Sequence, residues 1–357
     1  MTVITRAKLS HLCVPLIEPY RLSYRTFEQF EPFLVELWDD EGRYGFADAQ
    51  ISPGSSAETR EGGWAFCERQ LTNAIGTTVK EIGTKIGSEG SVSPVAGTAL
   101  ISSLEMLESH PALTTDEEIR LPLLVPVQQS EPANLSTEIE SLIGMGFRTL
   151  KIKVGKNLEG DIERVRQIQE FNSGRATLRI DANRAYTREQ GLKFVSSVNP
   201  EAIELFEQPC DSDDWSANAD VAQRSAIPIM LDEPICSLED IERAGTIDGV
   251  EFCKLKLKRF GGLSQLTHAL QRVRELGMQP VLGDGLGSDI HNWLEACVAK
   301  STIGNAGEFN GFLKMKYGLL QQELAVQQGS MVLPAGFTPR LDPEKIGKSL
   351  IREMNFN

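Results

Sequence analysis

Carboxylates and lysines recur along the middle of the chain at nearly equal intervals. The carboxylates are Asp181, Glu207 and Asp232, and a lysine stands at a similar interval on either side of them, at Lys153 and Lys256. Three converging carboxylates repel one another and raise one another's pKa values, so a cation is expected among them. Ligands that are all oxygen favour Mg²⁺, with Mn²⁺ as the alternative, over Zn²⁺, which prefers His and Cys.

Two pairs of lysines accompany the carboxylates. Lys151 and Lys153 are two residues apart, as are Lys254 and Lys256, so in a strand each pair points to one face. A lysine close to other cations has a lowered pKa and can act as a base. Two lysines on opposite sides of one metal can address both faces of a carbon acid. A cation would stabilise the enediolate that forms when a proton leaves the carbon next to a carboxylate.

The elements that must position these groups alternate regularly after residue 121, where short apolar runs are followed by amphipathic helical patterns. Strict alternation predicts parallel strands with right-handed crossovers, and eight units favour a closed barrel over an open sheet. Catalytic groups of such a barrel collect at the carboxyl ends of its strands. The strands are predicted at 121–127, 149–155, 177–183, 203–209, 227–234, 250–257 and 279–285, with a weak eighth strand at 306–312.

The first part of the chain has an α+β character. Strands are predicted at 3–12 and 33–38, the second opening a hairpin, and helices at 59–75 and 94–108. The Gly/Ser-rich stretch 83–94 is predicted to be a loop.

Length and composition agree with this division. A chain of 357 residues, 41% hydrophobic and 24% charged, has an ordinary globular composition and suggests two domains or one large one. We predict an α+β domain over 1–120, a barrel over 121–324, and a tail from about 325 to 357 that returns to the first domain.

The charge and the apolar pattern exclude some classes of function. A net charge of −14 opposes sequence-independent binding to nucleic acid or to anionic membranes. No apolar run reaches the ~18 residues of a membrane span. No signal-peptide pattern opens the sequence and the six cysteines are scattered, so we expect a cytoplasmic protein with reduced thiols.

Five motifs, each predicted at its own strand end, carry a family resemblance. The chain resembles the enolase superfamily over essentially its whole length, and within it the muconate lactonizing enzyme subgroup of the mandelate racemase/muconate lactonizing enzyme family. The resemblance implies an α/β fold, a modified TIM barrel (β/α)₇β with an α+β N-terminal capping domain. The motifs are Lys151-Ile152-Lys153, Asp181-Ala182-Asn183, Glu207-Gln208-Pro209, Asp232-Glu233-Pro234 and the run from Lys256 to Gly261-Gly262.

The same resemblance implies roles for the residues of these motifs. Asp181, Glu207 and Asp232 would bind Mg²⁺. Lys153 and Lys256 would be the acid/base pair. The resemblance further places Lys151, Asn183 and Glu233 close to the metal and the reacting groups.

The sequence departs from the subgroup where the substrate is expected to bind. Dipeptide epimerases of the subgroup usually carry Asp-x-Asp at the end of strand 8, where this chain has Glu308-Phe309-Asn310. One carboxylate is kept and one is replaced by an amide, which weakens the case for a substrate with a free α-amino group. The candidates for substrate contact are Asp284 in the loop after strand 7, Glu308, Asn310, and Arg21, Tyr24 and Arg25 in the first capping loop.

Other charged residues near the strand ends are given structural roles. We expect Lys254 to pair with a buried acid, and Lys258 and Arg259 to lie in the loop after strand 6, outside the site. His291 follows strand 7, and a structural role is favoured for it as well.

The function implied is Mg²⁺-dependent abstraction of the proton α to the carboxylate of a small molecule. A racemase, epimerase or cycloisomerase acting on an amino-acid derivative, a dipeptide or a lactone acid is favoured. The alternative within the superfamily is a lyase or dehydratase similar to o-succinylbenzoate synthase. Alternatives of other classes are a Schiff-base aldolase that uses Lys153 or Lys256 covalently and a non-catalytic binding protein. We expect a homo-oligomer that binds neither nucleic acid nor membranes.

Overall fold

The computed structural model of the protein describes residues 2–21, 25–53 and 56–357. Its strands are β1 (Ile4–Leu12), β2 (Val14–Arg21), β3 (Thr26–Phe30), β4 (Phe33–Asp39), β5 (Tyr44–Ala49), β6 (Ile119–Pro122), β7 (Val125–Val127), β8 (Thr149–Lys153), β9 (Thr177–Asp181), β10 (Ile203–Glu207), β11 (Ile229–Leu231), β12 (Val250–Leu255), β13 (Gln279–Leu282), β14 (Ala325–Gln327), β15 (Ser330–Leu333) and β16 (Leu350–Phe356).

Helices follow most of these strands. They are α1 (Arg60–Ala74), α2 (Val79–Ser88), α3 (Pro94–Leu107), α4 (Pro132–Gly144), α5 (Leu158–Asn172), α6 (Arg188–Ser197), α7 (Trp215–Arg224), α8 (Leu238–Ala244), α9 (Leu257–Phe260), α10 (Leu263–Glu275), α11 (Asp289–Thr302) and α12 (Pro343–Ser349). Short 3₁₀ turns occur at Pro111–Leu113 and Gly311–Lys314. Within the described ranges, no helix combines the length and the apolar character that a membrane crossing requires.

Seven parallel strands form the sheet that carries the predicted strand ends. Their order is β13-β12-β11-β10-β9-β8-β7, so neighbours in the sheet are also neighbours in the chain. The helices between them are amphipathic and turn their apolar faces to the sheet, as Val165 and Ile168 of α5 do. This alternation is the one that the sequence predicts, and it places every strand's carboxyl end on one side.

Two predictions about the barrel strands are wrong. The stretch 306–312 is not a strand: Gly307 and Glu308 fill the eighth position through single backbone bonds to Pro122, Leu124 and Leu282. The Phe309 ring folds back onto Gly307, leaving no room for a Cβ there, and the chain then enters a 3₁₀ turn.

The predicted first strand, 121–127, is divided into two. Its first part, β6, pairs antiparallel with β15, and its second part, β7, pairs parallel with β8. Pro122 and Pro126 have no N–H to donate to a continuous ladder.

An antiparallel sheet of order β16-β1-β4-β5 forms the N-terminal part, with α1 and α3 packed on it and α2 packed against these two helices. The tail returns to this sheet, since β16 pairs with β1. The hairpin of β2 and β3 is not predicted from the sequence. The proposed domain boundary near residue 120 stays a prediction.

The predicted loop at 83–94 is also wrong in its first half, because α2 extends to Ser88. Thr78 and Glu81 form a reciprocal capping box, in which the Glu81 N–H donates to Thr78 Oγ1 at 3.3 Å and the Thr78 N–H donates to Glu81 Oε2 at 3.2 Å. Buried Ile82 and Ile86 then lie on one helical face. The cap and the apolar stripe outweigh the low helix propensity of the glycines.

Candidate active site

The strand ends bring the predicted charged residues side by side. Lys153, Asp181 and Glu207 are the last residues of β8, β9 and β10, and register places Lys153 opposite Asp181 and Asp181 opposite Glu207. Asp232 follows β11 directly and Lys256 follows β12 directly. The five groups therefore stand in one row, because each parallel strand ends at the same level as its neighbour.

All five line a cavity of about 560 Å³ at this end of the sheet. The cavity is also lined by α3 and the loop before it, through Ser91, Pro94 and Val95. Other groups around it are Tyr20, Glu58, Lys151, Asn183, Arg184, Glu233, Cys236, Lys254, Lys258, Arg259, Asp284, Leu286 and Glu308.

Lys151 lies at the centre of the charge arrangement. Its Nζ is 2.9 Å from Asp181 Oδ2, 2.7 Å from Glu207 Oε2 and 2.9 Å from Glu308 Oε1, and its side chain is only 2% exposed. Burial lowers the pKa of this ammonium, but Asp181, Glu207 and Glu308 outweigh burial and raise the pKa well above its usual value. Lys151 is therefore a permanent cation that compensates three buried carboxylates.

Lys254 shares this arrangement, as expected for a lysine paired with a buried acid. Its Nζ donates to Glu207 Oε1 at 3.0 Å and also contacts Glu308 Oε2. Burial raises the pKa of Glu308, but Lys151 and Lys254 outweigh it and hold the pKa well below its usual range. Glu308, predicted to contact substrate, reaches the cavity wall with both carboxylate oxygens bonded to lysines.

Lys153 has more freedom than its neighbour two residues earlier. Its Nζ donates to Asp181 Oδ2 at 2.5 Å and to Asn183 Oδ1 at 2.7 Å, and its side chain is 34% exposed. The Asn183 N–H donates to Asp181 Oδ1 at 2.8 Å from a left-handed conformation (φ 44°) that asparagine tolerates. Asn183 thus orients both the lysine and the carboxylate.

Lys256 stands at the other end of the row, next to Asp232. Its Nζ is 2.9 Å from Asp232 Oδ2, and Arg259 Nη1 donates to Asp232 Oδ1 at 2.9 Å. Burial raises the pKa of Asp232, but Lys256 and Arg259 outweigh burial and hold the pKa well below its usual value.

The prediction that Lys258 and Arg259 lie outside the site is wrong. Both line the cavity, and Lys258 pairs with Asp284, whose Oδ1 accepts the Leu286 N–H at 3.1 Å. The short helix α9 turns this segment back over the strand ends and stops at Gly261, where φ is +80°. The Gly261-Gly262 pair after the strand is the one sequence signal for such a turn.

Glu233, next to Asp232 in the chain, also lines the cavity and has a raised pKa. Its Oε1 lies 3.6 Å from Arg184 Nε, and its buried Oε2 has no hydrogen-bond partner among the described residues. Burial, followed by the charges of Asp232 and Asp181, raises its pKa to about 7.

Several predicted substrate contacts are not brought to the cavity. Asn310 donates to the Leu124 carbonyl at 2.9 Å and is buried below the surface. Arg21 and Arg25 are exposed, and in the part of the chain that the structure describes neither lines the cavity. Tyr24 lies outside the described residues.

Sequence reasoning missed Lys314. Its Nζ donates to the Gly285 carbonyl and to Asn310 Oδ1, both at 2.9 Å, and lies 4.6 Å from the centre of the Tyr20 ring. Burial lowers its pKa to about 8, against the charges of Glu308 and Asp284. Lys314 follows the strand-end motif by six residues and carries no sequence signal of its own.

The carboxylates Asp181, Glu207 and Asp232 fit a hard divalent cation in their chemistry, since all their donor atoms are oxygens. Lys151 Nζ contacts Asp181 and Glu207 at once, so one cationic centre can reach both. Among the residues that the structure describes, no three His, Cys, Asp or Glu side chains already surround one point. Lysines and Arg259 bond these carboxylates instead.

Comparisons with known proteins agree with this architecture. The family described as "Enolase C-terminal domain-like" matches residues 134–339. The L-Ala-D/L-Glu epimerase of Clostridium acetobutylicum is 25% identical over 79% of this chain and 82% of its own. The N-succinyl-L-Arg/Lys racemase of Bacillus cereus is 21% identical over 80% and 81%. The o-succinylbenzoate synthase of Listeria innocua is 25% identical over 72% and 71%.

Solved structures share the fold over nearly the whole chain. A dipeptide epimerase from Cytophaga hutchinsonii, complexed with Mg and D-Ala-L-Val, has a TM-score of 0.89 at 22% identity and covers 99% of this chain and 100% of its own. A muconate lactonizing enzyme from Pseudomonas fluorescens, complexed with muconolactone, has a TM-score of 0.87 at 18% identity, with 98% and 99% covered. These likenesses establish the fold.

Proposed function

The chain belongs to the enolase C-terminal domain-like family, and we propose that it is an isomerase that moves the proton next to the carboxylate of a small molecule. The favoured reactions are racemisation or epimerisation of an amino-acid derivative or dipeptide, with cycloisomerisation of a lactone acid as a related reaction. Relatives named as epimerases and a racemase support this choice.

One observation carries the proposal. Lys153 on β8 and Lys256 after β12 flank the three carboxylates at Asp181, Glu207 and Asp232, because β9, β10 and β11 lie between them in the sheet. A substrate carbon above the carboxylates would have one lysine on each face. This arrangement suits inversion at a carbon, since one group can remove a proton and the other can return a proton on the opposite face.

The steps follow from the two amines. A neutral Nζ of one lysine takes the proton from the carbon next to the substrate carboxylate, and the C–H electron pair passes into that carboxylate. The ammonium of the other lysine returns a proton to the opposite face. Asn183 orients Lys153, and Asp232 with Arg259 orients Lys256.

We propose Asp181, Glu207 and Asp232 as the Mg²⁺ ligands. Mg²⁺ bound there would supply positive charge for the substrate carboxylate as it gains electrons. Lys151 and Lys254 compensate the charges of Glu207 and Glu308, and Lys151 also compensates Asp181.

A lyase similar to o-succinylbenzoate synthase is the second candidate. Lys256 Nζ is 2.9 Å from Asp232 Oδ2, and Arg259 Nη1 bonds the other oxygen of the same carboxylate at 2.9 Å. A lyase could use Lys153 as base and keep Lys256 as a cation. The relative from Listeria innocua supports this alternative.

Proton exchange in D₂O tests the proposal. The protein with Mg²⁺ would be incubated with L-Ala-L-Glu, N-succinyl-L-lysine, N-succinyl-L-arginine, muconolactone and N-acyl prolines, and loss of the α-proton followed by NMR. We expect exchange with at least one compound and its loss on chelation of Mg²⁺. An isomerase gives both stereoisomers, whereas a lyase gives an unsaturated product.

Variants Lys153→Ala and Lys256→Ala are the controls. Exchange that survives both substitutions would overturn the acid/base assignment. Borohydride trapping of a covalent adduct on either lysine would indicate the Schiff-base aldolase, and absence of exchange across the panel would favour a binding protein.

The expected setting of the enzyme is also a proposal. We propose a cytoplasmic homo-oligomer that acts on a small carboxylate, and neither on nucleic acid nor at a membrane. The net charge of −14 supports the last part. Sedimentation equilibrium measures the assembly, and a monomer would contradict it.

A further inference from the structure

Three buried polar residues join the N-terminal sheet to the barrel behind the cavity. Asp48 lies on β5, and His291 and Glu295 lie one turn apart on α11. They are 1%, 3% and 0% exposed, and none belongs to the described lining of the cavity. We refer to these three residues as the buried cluster. The proposed reaction does not use it.

His291 is the middle member of the cluster. Its Nδ1 lies 3.4 Å from the Asp48 carbonyl oxygen and its Nε2 lies 3.6 Å from Glu295 Oε1. The ring packs against Gly287, where a Cβ would lie only 3.0 Å from His291 Cδ2 and where φ is +123°. Ser288 Oγ accepts the His291 N–H at 3.4 Å. The ring is therefore held by the contacts at its two nitrogens, and the close packing at Gly287 and the bond to Ser288 restrain the residue further.

Glu295 connects the cluster to the proposed acid/base pair. Its Oε1 accepts the N–H of Leu257 at 3.3 Å, and Leu257 directly follows Lys256. The carbonyl of Leu257 accepts from Thr98 Oγ1 of α3 at 3.5 Å. The peptide unit on each side of Leu257 is thus held by a buried partner, which restrains the backbone from which the Lys256 side chain extends.

The charges of the cluster are mutually dependent. An isolated buried carboxylate is costly, so Glu295 needs a cation close by. Burial lowers the pKa of His291, but Glu295, then Asp48 and Asp284, outweigh burial and raise the pKa to about 9. His291 is therefore a cation at neutral pH and compensates Glu295. Burial raises the pKa of Asp48 to about 6, with His291 opposing the rise.

We infer that His291 and Glu295 are positioning residues for Lys256, acting through the Leu257 N–H and anchored to the N-terminal sheet at Asp48. This inference rests on the proposed function, in which Lys256 serves one face of the substrate carbon. Among the described residues, Lys153 bonds Asp181 and Asn183 and has no such connection to the cluster. The inference therefore predicts a defect confined to one of the two lysines.

Lysine labelling tests the inference without a substrate. His291→Gln, Glu295→Gln and wild type would be labelled competitively with acetic anhydride, and the labelling rate of Lys256 compared with that of Lys153 by mass spectrometry. We expect the Lys256 rate to rise several-fold in His291→Gln, because its ion pair with Asp232 is held less firmly, and the Lys153 rate to stay constant. His268→Gln changes an exposed histidine and is the matched control.

Face-resolved exchange gives the second readout. The compound is one that exchanges its α-proton in the D₂O experiment described above. The variants Lys153→Ala and Lys256→Ala show which face of its carbon each lysine serves. In His291→Gln we expect exchange on the Lys256 face to fall about 10-fold in kcat with KM nearly unchanged, and the Lys153 face to keep its rate. Glu295→Gln keeps an acceptor for Leu257 and is expected to show a smaller fall.

The outcomes separate the two proposals. Wild type without exchange on any compound contradicts the proposed function, while the labelling ratio still decides whether the cluster positions Lys256. An unchanged labelling ratio in folded His291→Gln, or equal falls on both faces, overturns the inference. Thermal unfolding establishes that the variants are folded, and Glu295→Gln carries both measurements if His291→Gln does not fold.

Discussion

Lys151 and Lys153 stand two residues apart on one strand and differ in their surroundings. Lys151 is 2% exposed and bonds three carboxylates, whereas Lys153 is one-third exposed and bonds one carboxylate and one amide. An amine that must gain and lose a proton needs access to the substrate, and an amine that compensates buried charge needs to stay protonated. The geometry gives the first property to Lys153 and the second to Lys151.

Replacing Lys151 with methionine is expected to destabilise the protein strongly. Asp181, Glu207 and Glu308 would then lack the cation they share, and removing one partner of a buried ion pair costs about 3 kcal/mol or more. Urea unfolding in the presence of a chelator measures the loss. Lys153→Met is the matched control on the same strand and should cost less. Equal losses in the two variants would contradict the central role of Lys151.

Replacing Asp232 with asparagine is expected to weaken Mg²⁺ binding at least 10-fold, since even neighbours of metal ligands change affinity by about that factor. The amide removes a negative charge that Lys256 and Arg259 now neutralise. Isothermal titration with MgCl₂ measures the affinity. Asp220→Asn changes an acid on α7 that is paired with Arg188 away from the strand ends, and it should leave the affinity unchanged. Wild-type affinity in Asp232→Asn would exclude Asp232 as a ligand.

At the scale of elements, short turns decide which charges reach the cavity. Helix α9 has four residues, and its reversal at Gly261 brings Lys258 and Arg259 over the strand ends. The bonds of Gly307 place Glu308 between β13 and the first barrel strands without a regular strand. Both features depend on a glycine whose missing side chain allows a tight reversal or a close contact.

Helix α2 offers a test of local capping. Thr78→Ala removes the hydroxyl that accepts the Glu81 N–H and is expected to lower the free energy of unfolding by about 1 kcal/mol. Thr84→Ala, in the exposed middle of the same helix, is the control and should change stability less. Chemical denaturation of both variants gives the comparison, and equal stability of Thr78→Ala and wild type would argue against the capping box.

At the scale of the whole molecule, the N-terminal part and the barrel are connected by polar contacts. Glu105 on α3 accepts the N–H groups of Leu263 and Ser264 at 2.6 and 2.8 Å, which caps α10 from outside the barrel. Asp48 reaches His291 from β5. Glu105 thus contacts the helix that follows Lys256 in the chain, and the contact of Asp48 with His291 belongs to the buried cluster that we infer positions Lys256.

The buried cluster predicts a pH dependence of stability. The pKa of His291 is raised from 6.5 to about 9, so its stabilising effect is complete below pH 6.5 and is lost as the pH rises through 9. The groups that face it are Asp48, Glu295 and Asp284. Wild type should lose about 3 kcal/mol more than His291→Gln between pH 6.5 and pH 9. The difference between the two proteins isolates His291 from Glu233 and Lys314, which titrate in the same range.

Unfolding by urea at several pH values measures this difference. A slope that is the same in wild type and in His291→Gln would show that His291 is not a cation in the folded protein.

The sequence by itself determined the repeated strand–helix units and the row of five charged strand ends. Periodicity carries this information, because each unit has its own apolar pattern and each charged group directly follows one. The family resemblance followed from the same residues. The α2 helix could also be predicted from the sequence, since Thr78 and Glu81 have the spacing of a capping box. Its glycines favour a loop instead, which is why a loop is predicted there.

Only the tertiary structure decided how the charges are paired. Lys151 contacts Glu308, which lies 157 residues later in the chain, and Lys254 contacts the same residue from 54 residues before it. His291 contacts Asp48, which lies 243 residues earlier. Such contacts depend on how the sheet curls and on how the N-terminal part packs against it. No local sequence pattern specifies these contacts. Whether a lysine compensates a buried carboxylate or can reach a substrate depends on its burial and on the nearest opposite charge, and its residue type does not decide this.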